Sequence, residues 1–352
     1  MKDRILWADT AKALGMFLVF FGHFIEKAGF AGNEVLLQVY RHIYAFHMPF
    51  FFLLAGFFFS KKDIPYGLLF IDKVKNRLVP VLFFVALALP LWMRPDWWGI
   101  TDVVPEHELQ KTWLLLHGKP VANWPCWFLV CLFSVELVAS ELIPLLNNRL
   151  KLLLALPVVY GLAWLATDNL PRKAAFMGTV ENWWFLQEGL MALFFYLSGH
   201  VLAKHGRALL PGSKGISMLK LAFFSAALVI AQSYVFPDAR SSVNMSASAH
   251  GHWLWFPLAA LAGSLMLVQL SSVLPSHRFL NYIGQNSLPL IGMSGLFLSF
   301  FNPLLWPLLD DISNPWLVLA GSVAATLFSL AVCVPVIALL NRFTPFLVGR
   351  WK

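Results

Sequence analysis

Long apolar runs alternate along the chain with short polar breaks. Ten runs stand out, at about 10–28, 43–60, 78–93, 124–146, 150–166, 183–203, 219–236, 253–274, 282–301 and 315–340. An α-helix of about 20 apolar residues crosses the hydrocarbon core of a bilayer, so each run reads as a membrane-spanning helix. Backbone groups in lipid must be satisfied within the segment, which selects helices over open strands. The pattern therefore predicts an all-α integral membrane protein of about ten transmembrane helices. Residues 1–352 form one polytopic domain. The first run reads as a full span rather than a cleavable leader, because no small-residue cleavage site follows it.

The breaks differ in character. Residues 94–123 form the longest, with Trp97, Trp98, Asp102, Glu106, His107, Glu108 and Trp113. This outer loop is amphipathic enough for a surface helix or a re-entrant lid. Residues 237–252 are Ser-rich and end in His250 and His252; they read as a solvated linker, with a cap over a substrate as the alternative. With the N-terminus placed inside, eighteen of the 26 Lys and Arg fall on the cytoplasmic side. That asymmetry sets orientation, and predicts cytoplasmic N- and C-termini with 341–352 as a short cytoplasmic tail.

Composition agrees. The chain is 59% hydrophobic and only 12% charged, against about 25% charged in a soluble domain. No polar stretch is long enough to bury a core of its own. The formal net charge of +8 is mainly topology and calls for no nucleic acid. Cys126, Cys131 and Cys333 have no metal-ligand spacing and read as buried small residues.

The polar residues inside the apolar runs carry the candidate chemistry, since an intramembrane ionisable group is costly and usually functional or paired. Asp9, Lys12 and His23 fall near one stripe of the first helix. Lys12 and His23, eleven residues apart, share a face about 16 Å apart along the axis. Such a line suggests a path from one membrane surface towards the other. The plainer readings are a packed histidine and an Asp9–Lys12 ion pair at i, i+3. His47 on the inward-running second helix lies at a depth close to that of His23, giving two histidines at a site open to the outer face. No acidic ligand at matching spacing supports a metal there.

Five stretches together resemble a known family. They are Asp9 with Lys12-x10-His23; Phe46-His-Met-Pro-Phe-Phe-Phe-Leu-Leu-Ala-Gly56; Lys73-Val-Lys-Asn-Arg77-Leu-Val-Pro80; Trp124-Pro-Cys-Trp-Phe-Leu129; and Ile283-Gly-Gln-Asn-Ser-Leu288. Their order and the ten-span layout resemble the acyltransferase-3 family of integral-membrane O-acyltransferases, which move acyl groups, usually acetyl, onto cell-surface sugars. Three positions depart from the family pattern: Ala55 stands for its usual Ser, and Ile291 and Ser294 for a common Tyr and His.

The resemblance implies that His23 is a catalytic base, near His47, and that Lys12, with Asp9, lies on the donor side. Lys73, Lys75 and Arg77 would hold the phosphates of a thioester donor such as acetyl-CoA, although the same cluster also satisfies the positive-inside rule. No permanently bound cofactor is expected. Asp9 is about 21 Å of helix from His23 and cannot orient it. Glu188 or Glu136 would then supply a carboxylate partner, with Glu188 the closer in depth. Trp124, Trp127 and Trp183 suit stacking on a sugar ring, and equally an interfacial belt. Asn281, Gln285 and Asn286 suit capping and packing. The expected function is transfer of an acetyl or related acyl group from cytoplasmic acetyl-CoA to a glycan or lipid-linked sugar, in a bacterial inner membrane. The alternatives are a proton-coupled transporter or flippase, for which neither inverted repeats nor paired broken helices are visible, and a binding protein without turnover.

Overall fold

The computed structural model describes residues 5–27, 33–60, 64–93, 114–169, 183–236, 241–310 and 312–351. Each of the ten apolar runs is helical there. The helices are α1 Leu6–Lys27, α2 Glu34–Phe57, α3 Tyr66–Lys73, α4 Val79–Met93, α5 Trp127–Leu145, α6 Arg149–Asn169 and α7 Leu186–His205. They continue with α8 Lys214–Val235, α9 Trp255–Val273, α10 Arg278–Gln285, α11 Ser287–Leu296, the short α12 Asn302–Leu305 and α13 Pro307–Asp310, and α14 Pro315–Phe343. Among the described residues the one strand-like feature is an isolated bridge between Asn244 and Ala249.

Eight described helices are long and apolar enough to cross a membrane. The other two expected runs, 43–60 and 78–93, lie in α2 and α4. Helix α2 starts well before residue 43, because Asn33 caps it by accepting from the Leu36 N–H at 3.2 Å. Its added first half brings in Glu34, Arg41 and His42, which lower its apolar character. Helix α4 has 15 residues and continues from α3 through a π-turn at Val74–Leu78. Such turns insert one extra residue and recur at functional sites.

Helices α1, α2, α7 and α9 form the centre. Helix α2 packs on α7 and α9, and α1 on α9 and α10. In the most apolar window of each span, 72% of α1 and 78% of α7 is buried, against 28% of α6, α8 and α14. The peripheral helices expose Val158, Leu219, Phe223 and Phe328. Such surface is unfavourable in water and at home in lipid, so the protein is an integral membrane protein.

Small residues set the closest crossing. A Cβ on Gly56 of α2 would sit 1.8 Å from the Tyr196 carbonyl oxygen, and one on Gly199 of α7 would sit 1.8 Å from that of Leu53. The two backbones therefore touch, as small residues permit in membrane bundles. Gly284 of α10 stands in the same relation to the Asp9 carbonyl of α1, at 1.9 Å.

The breaks are partly defined. Most of the expected lid, 94–113, lies outside the described residues, with its Trp, Asp, Glu and His107 side chains. Its end, 114–123, packs inward, with His117, Lys119 and Asn123 buried. Asn123 donates to the Gly292 and Phe84 carbonyls at 2.8 and 3.3 Å, tying this segment to α11 and α4. The described part of 237–252 is likewise no solvated linker: Val243, Met245, Ser246, Ser248 and His250 are buried.

Gly199→Leu is expected to lower stability by about 3 kcal/mol or more through overpacking and to leave little monodisperse protein in detergent. Gly161→Leu, at a position with open space around its Cβ, should stay within about 0.5 kcal/mol of wild type. Thermal unfolding monitored by size-exclusion chromatography checks both.

Candidate active site

A cavity of about 740 Å³ opens between α1, α2, α5, α7, α11 and the α3–α4 element, with Lys12, Lys73, Arg77, Glu136 and Tyr196 among its walls. Glu136 of α5 is 6% exposed and sits deep in an apolar helix. Arg77 grips it with two parallel bonds, Nε to Oε2 at 3.0 Å and Nη2 to Oε1 at 2.8 Å. Lys73 Nζ approaches Oε2 at 3.3 Å. The bidentate fork is the strong form of this pairing. Lys73 and Arg77 fall on one side, because residues four apart share a face of the helix. Lys75 falls on the other side, above the Trp351 ring at 5.2 Å, outside the cavity wall. Lys12 reaches the cavity from α1, with its Nζ 3.8 Å from the Asp9 carboxylate and 5.4 Å from the Phe58 ring centre. Asp9 itself is buried and lies behind the wall.

A second cavity, of about 140 Å³, lies towards the far end of α1 and contains His23, Glu26, Tyr44 and His47. His23 Nδ1 is 3.3 Å from Glu26 Oε2 and 3.2 Å from the Tyr44 hydroxyl. The Tyr44 hydroxyl donates to the same carboxylate oxygen at 3.1 Å. A carboxylate can only accept, so Nδ1 carries the proton in the neutral form of His23, which leaves the Nε2 lone pair free. His47 Nδ1 bonds the Ile43 carbonyl at 2.9 Å, which fixes the same tautomer there. The Tyr44 ring stands between the imidazoles, 4.6 Å from His47 and edge-on to His23 at 6.4 Å. Gly22 makes room for it, since a Cβ there would come within 2.8 Å of that ring.

Trp124, Trp127 and the segment Val243–Ser246 complete this cavity. Trp124 Nε1 donates to Ser246 Oγ at 3.2 Å, and Ser246 donates on to Asn244 Oδ1 at 2.8 Å. The described part of the Ser-rich break thus forms a wall of this cavity and is not a solvated linker.

Three side chains belong to both cavities: Phe51 of α2, Phe128 of α5 and Ile291 of α11. They form an apolar partition between the cationic chamber and the histidine chamber.

Several expected placements change. The carboxylate beside His23 is Glu26, one turn along its own helix, and not Glu188 or Glu136. Glu188 accepts from Ser248 Oγ at 3.0 Å, outside both cavities. Glu136 is the counter-ion of Arg77 and Lys73, because a carboxylate buried at that depth needs cations beside it. Trp183 also lies outside both cavities, edge-on to His117 at 4.3 Å and half exposed. The sequence reading passed over Glu26 and Tyr44. The i, i+3 spacing from His23 was a usable signal for Glu26, but a carboxylate at a helix end attracts no notice. Asn286 packs as expected, accepting from Asn341 and Arg350, each at 2.8 Å, but its side chain makes no capping bond to the start of α11.

The chain matches the model of a family described as an acyltransferase domain over residues 5–334. It belongs to the acyltransferase-3 family. No curated protein and no solved structure matches it. The family assignment makes the chain an integral-membrane acyltransferase, with an acyl donor and an acceptor as its substrates. Of the three positions that depart from the family pattern, Ala55 and Ile291 line the larger cavity. Ser294 is buried and donates to the Ile291 carbonyl at 2.7 Å.

Glu136→Gln keeps the shape of the side chain but leaves Arg77 and Lys73 without their counter-charge. Breaking a fully buried pair costs about 3–5 kcal/mol. Because both cations face the cavity, with side chains 23% and 18% exposed, a loss of about 2–3 kcal/mol is expected. Glu141→Gln at the exposed mouth should change stability by less than about 0.5 kcal/mol. Thermal unfolding of the two variants in parallel checks the contrast.

Proposed function

We propose that this acyltransferase takes an acetyl or similarly small acyl group from acetyl-CoA at the cytoplasmic face of a bacterial inner membrane. The group passes to a hydroxyl of a glycan or lipid-linked sugar near the outer leaflet. One observation carries the reading: a cation-walled chamber and a carboxylate-backed histidine lie on opposite sides of a single thin partition.

The donor enters the larger chamber. Lys12, Lys73 and Arg77 outnumber Glu136 and Glu141 in its lining, so the wall favours an anionic nucleotide. Arg77 and Lys73 keep their grip on Glu136 while presenting remaining N–H donors to phosphate oxygens. The thioester end of the flexible arm points to the partition, and the acceptor hydroxyl approaches from the other side between Trp124 and Trp127.

His23 Nε2 takes the hydroxyl proton, and the oxygen attacks the thioester carbonyl carbon. The carbon–sulfur bond breaks, and the departing thiolate receives the proton from His23. Atoms and charge balance with free thiol and acyl ester as products. Glu26 holds the Nδ1–H and stabilises the transient imidazolium, the role of the carboxylate in other histidine-based acyl transfers. Tyr44 fixes Glu26. His47, with Nδ1 committed to a carbonyl, offers Nε2 as an acceptor to the incoming hydroxyl. The rest is positioning in a site that excludes bulk water.

In membranes supplied with labelled acetyl-CoA, His23→Ala is expected to lower transfer of label to the acceptor about 10²–10⁴-fold, the usual share of general base catalysis. Glu26→Gln should lower it by a smaller factor, about tenfold or more. His205→Ala, at an exposed position, should transfer as wild type does. Full turnover by His23→Ala contradicts the proposal.

A further inference from the structure

The partition has a consequence for which acyl groups can react, and this inference rests on the reading above. If the nucleotide part of the donor fills the larger chamber, the acyl group leads. It must cross between Phe51, Phe128 and Ile291 before its carbonyl carbon reaches His23. The space beyond is small. A cavity of about 150 Å³ accommodates one benzene, and the histidine chamber measures about 140 Å³. That volume accepts an acetyl group with an acceptor hydroxyl beside it and excludes an octanoyl chain.

The partition is held in place from behind. The Phe51 ring lies against Gly15 of α1, where a Cβ would come within 2.8 Å of its tip. The Phe128 ring packs tilted on Phe52 at 4.7 Å and edge-on to Phe51 at 5.9 Å. The three side chains are buried, at 7%, 4% and 6% exposure for Phe51, Phe128 and Ile291. Two aromatic rings in contact cannot yield without displacing their neighbours, because interiors are close-packed. Ile291 is the aliphatic member of the set, on α11 beside Gly292, and the one whose size can change with least disturbance.

We infer that Phe51, Phe128 and Ile291 form the specificity-determining constriction of this enzyme and restrict the donor to short acyl chains. Ile291 sets the limit. Removing its outer carbons joins the two chambers and lets a longer chain lie across the junction; a larger ring in its place narrows the passage further.

The test uses membrane vesicles containing the full chain, supplied in turn with labelled acetyl-, butyryl- and octanoyl-CoA, with label counted in the acceptor fraction. Wild type should transfer acetyl at least tenfold better than octanoyl. Ile291→Ala should raise the octanoyl-to-acetyl ratio at least tenfold, and Phe128→Ala should move it the same way. Ile291→Phe should lower the butyryl-to-acetyl ratio, a result that general loosening cannot produce. Ile337→Ala, at an equally buried position outside both cavities, should leave the ratios unchanged. Equal ratios in Ile291→Ala, Ile291→Phe and wild type would overturn the inference, as would octanoyl transfer by wild type at the acetyl rate. Absence of transfer from every donor by the folded wild type would instead overturn the functional reading and this inference with it.

Discussion

A carboxylate in the interior of an apolar bundle must be compensated, and the arrangement of this protein follows from how Glu136 is. Arg77 and Lys73 reach it from the α3–α4 element at 2.8 to 3.3 Å. Three charges buried together are tolerable only with matched geometry. The i, i+4 spacing of Lys73 and Arg77 supplies that geometry by placing both cations on one face. The same contact pins α3 and the π-turn to α5 and leaves a polar wall along the larger chamber. The fold and the proposed donor site thus draw on one set of residues.

The second constraint is the touching of backbones at Gly56 and Gly199. It brings α2 close to α7 and fixes the depth of Phe51 and His47 on α2. Helix α1, lying along α2, carries Lys12 into one chamber and His23 into the other. In the proposed function the enzyme keeps a water-soluble donor and an outer acceptor apart until they react. Two chambers meeting at three apolar side chains meet that need without requiring a large conformational change. One wall of the histidine chamber is built by chain breaks, with Trp124, Ser246 and Asn244 bonded in series.

Most of the helical framework could be read from the sequence, because a lipid-spanning segment must be long and apolar whatever it packs against. Boundaries shifted where a cap decided them: Asn33 started α2 well before its apolar run. That His23 and His47 stand close together was legible from spacing, but the single path expected from Lys12 to His23 is two chambers, because Phe51, Phe128 and Ile291 from other helices come between them. Glu26 stands at i, i+3 from His23, but an acidic residue at a helix end is ordinary, and the Tyr44 hydroxyl that completes the group comes from another helix. The i, i+4 spacing that sets Lys73 and Arg77 apart from Lys75 was present in the sequence, but the carboxylate that the two cations face was not legible from it. The role of Glu136 depended on which cations stood across from it, a tertiary fact. Trp183 shared a sequence character with Trp124 and Trp127 but a different neighbourhood. Breaks such as 241–252 read as solvated because their polar side chains bond to each other and to helix residues when buried.

The central claim is that donor and acceptor meet across the Phe51–Phe128–Ile291 partition at His23. An experimental structure of the full chain with a non-hydrolysable acetyl-CoA analogue tests it most directly. The account predicts phosphates beside Lys12, Lys73 and Arg77, the arm passing between Phe51, Phe128 and Ile291, and the acyl carbon within reach of His23 Nε2. An analogue bound with its acyl end away from that partition, and with His23 sealed from it, would contradict the account.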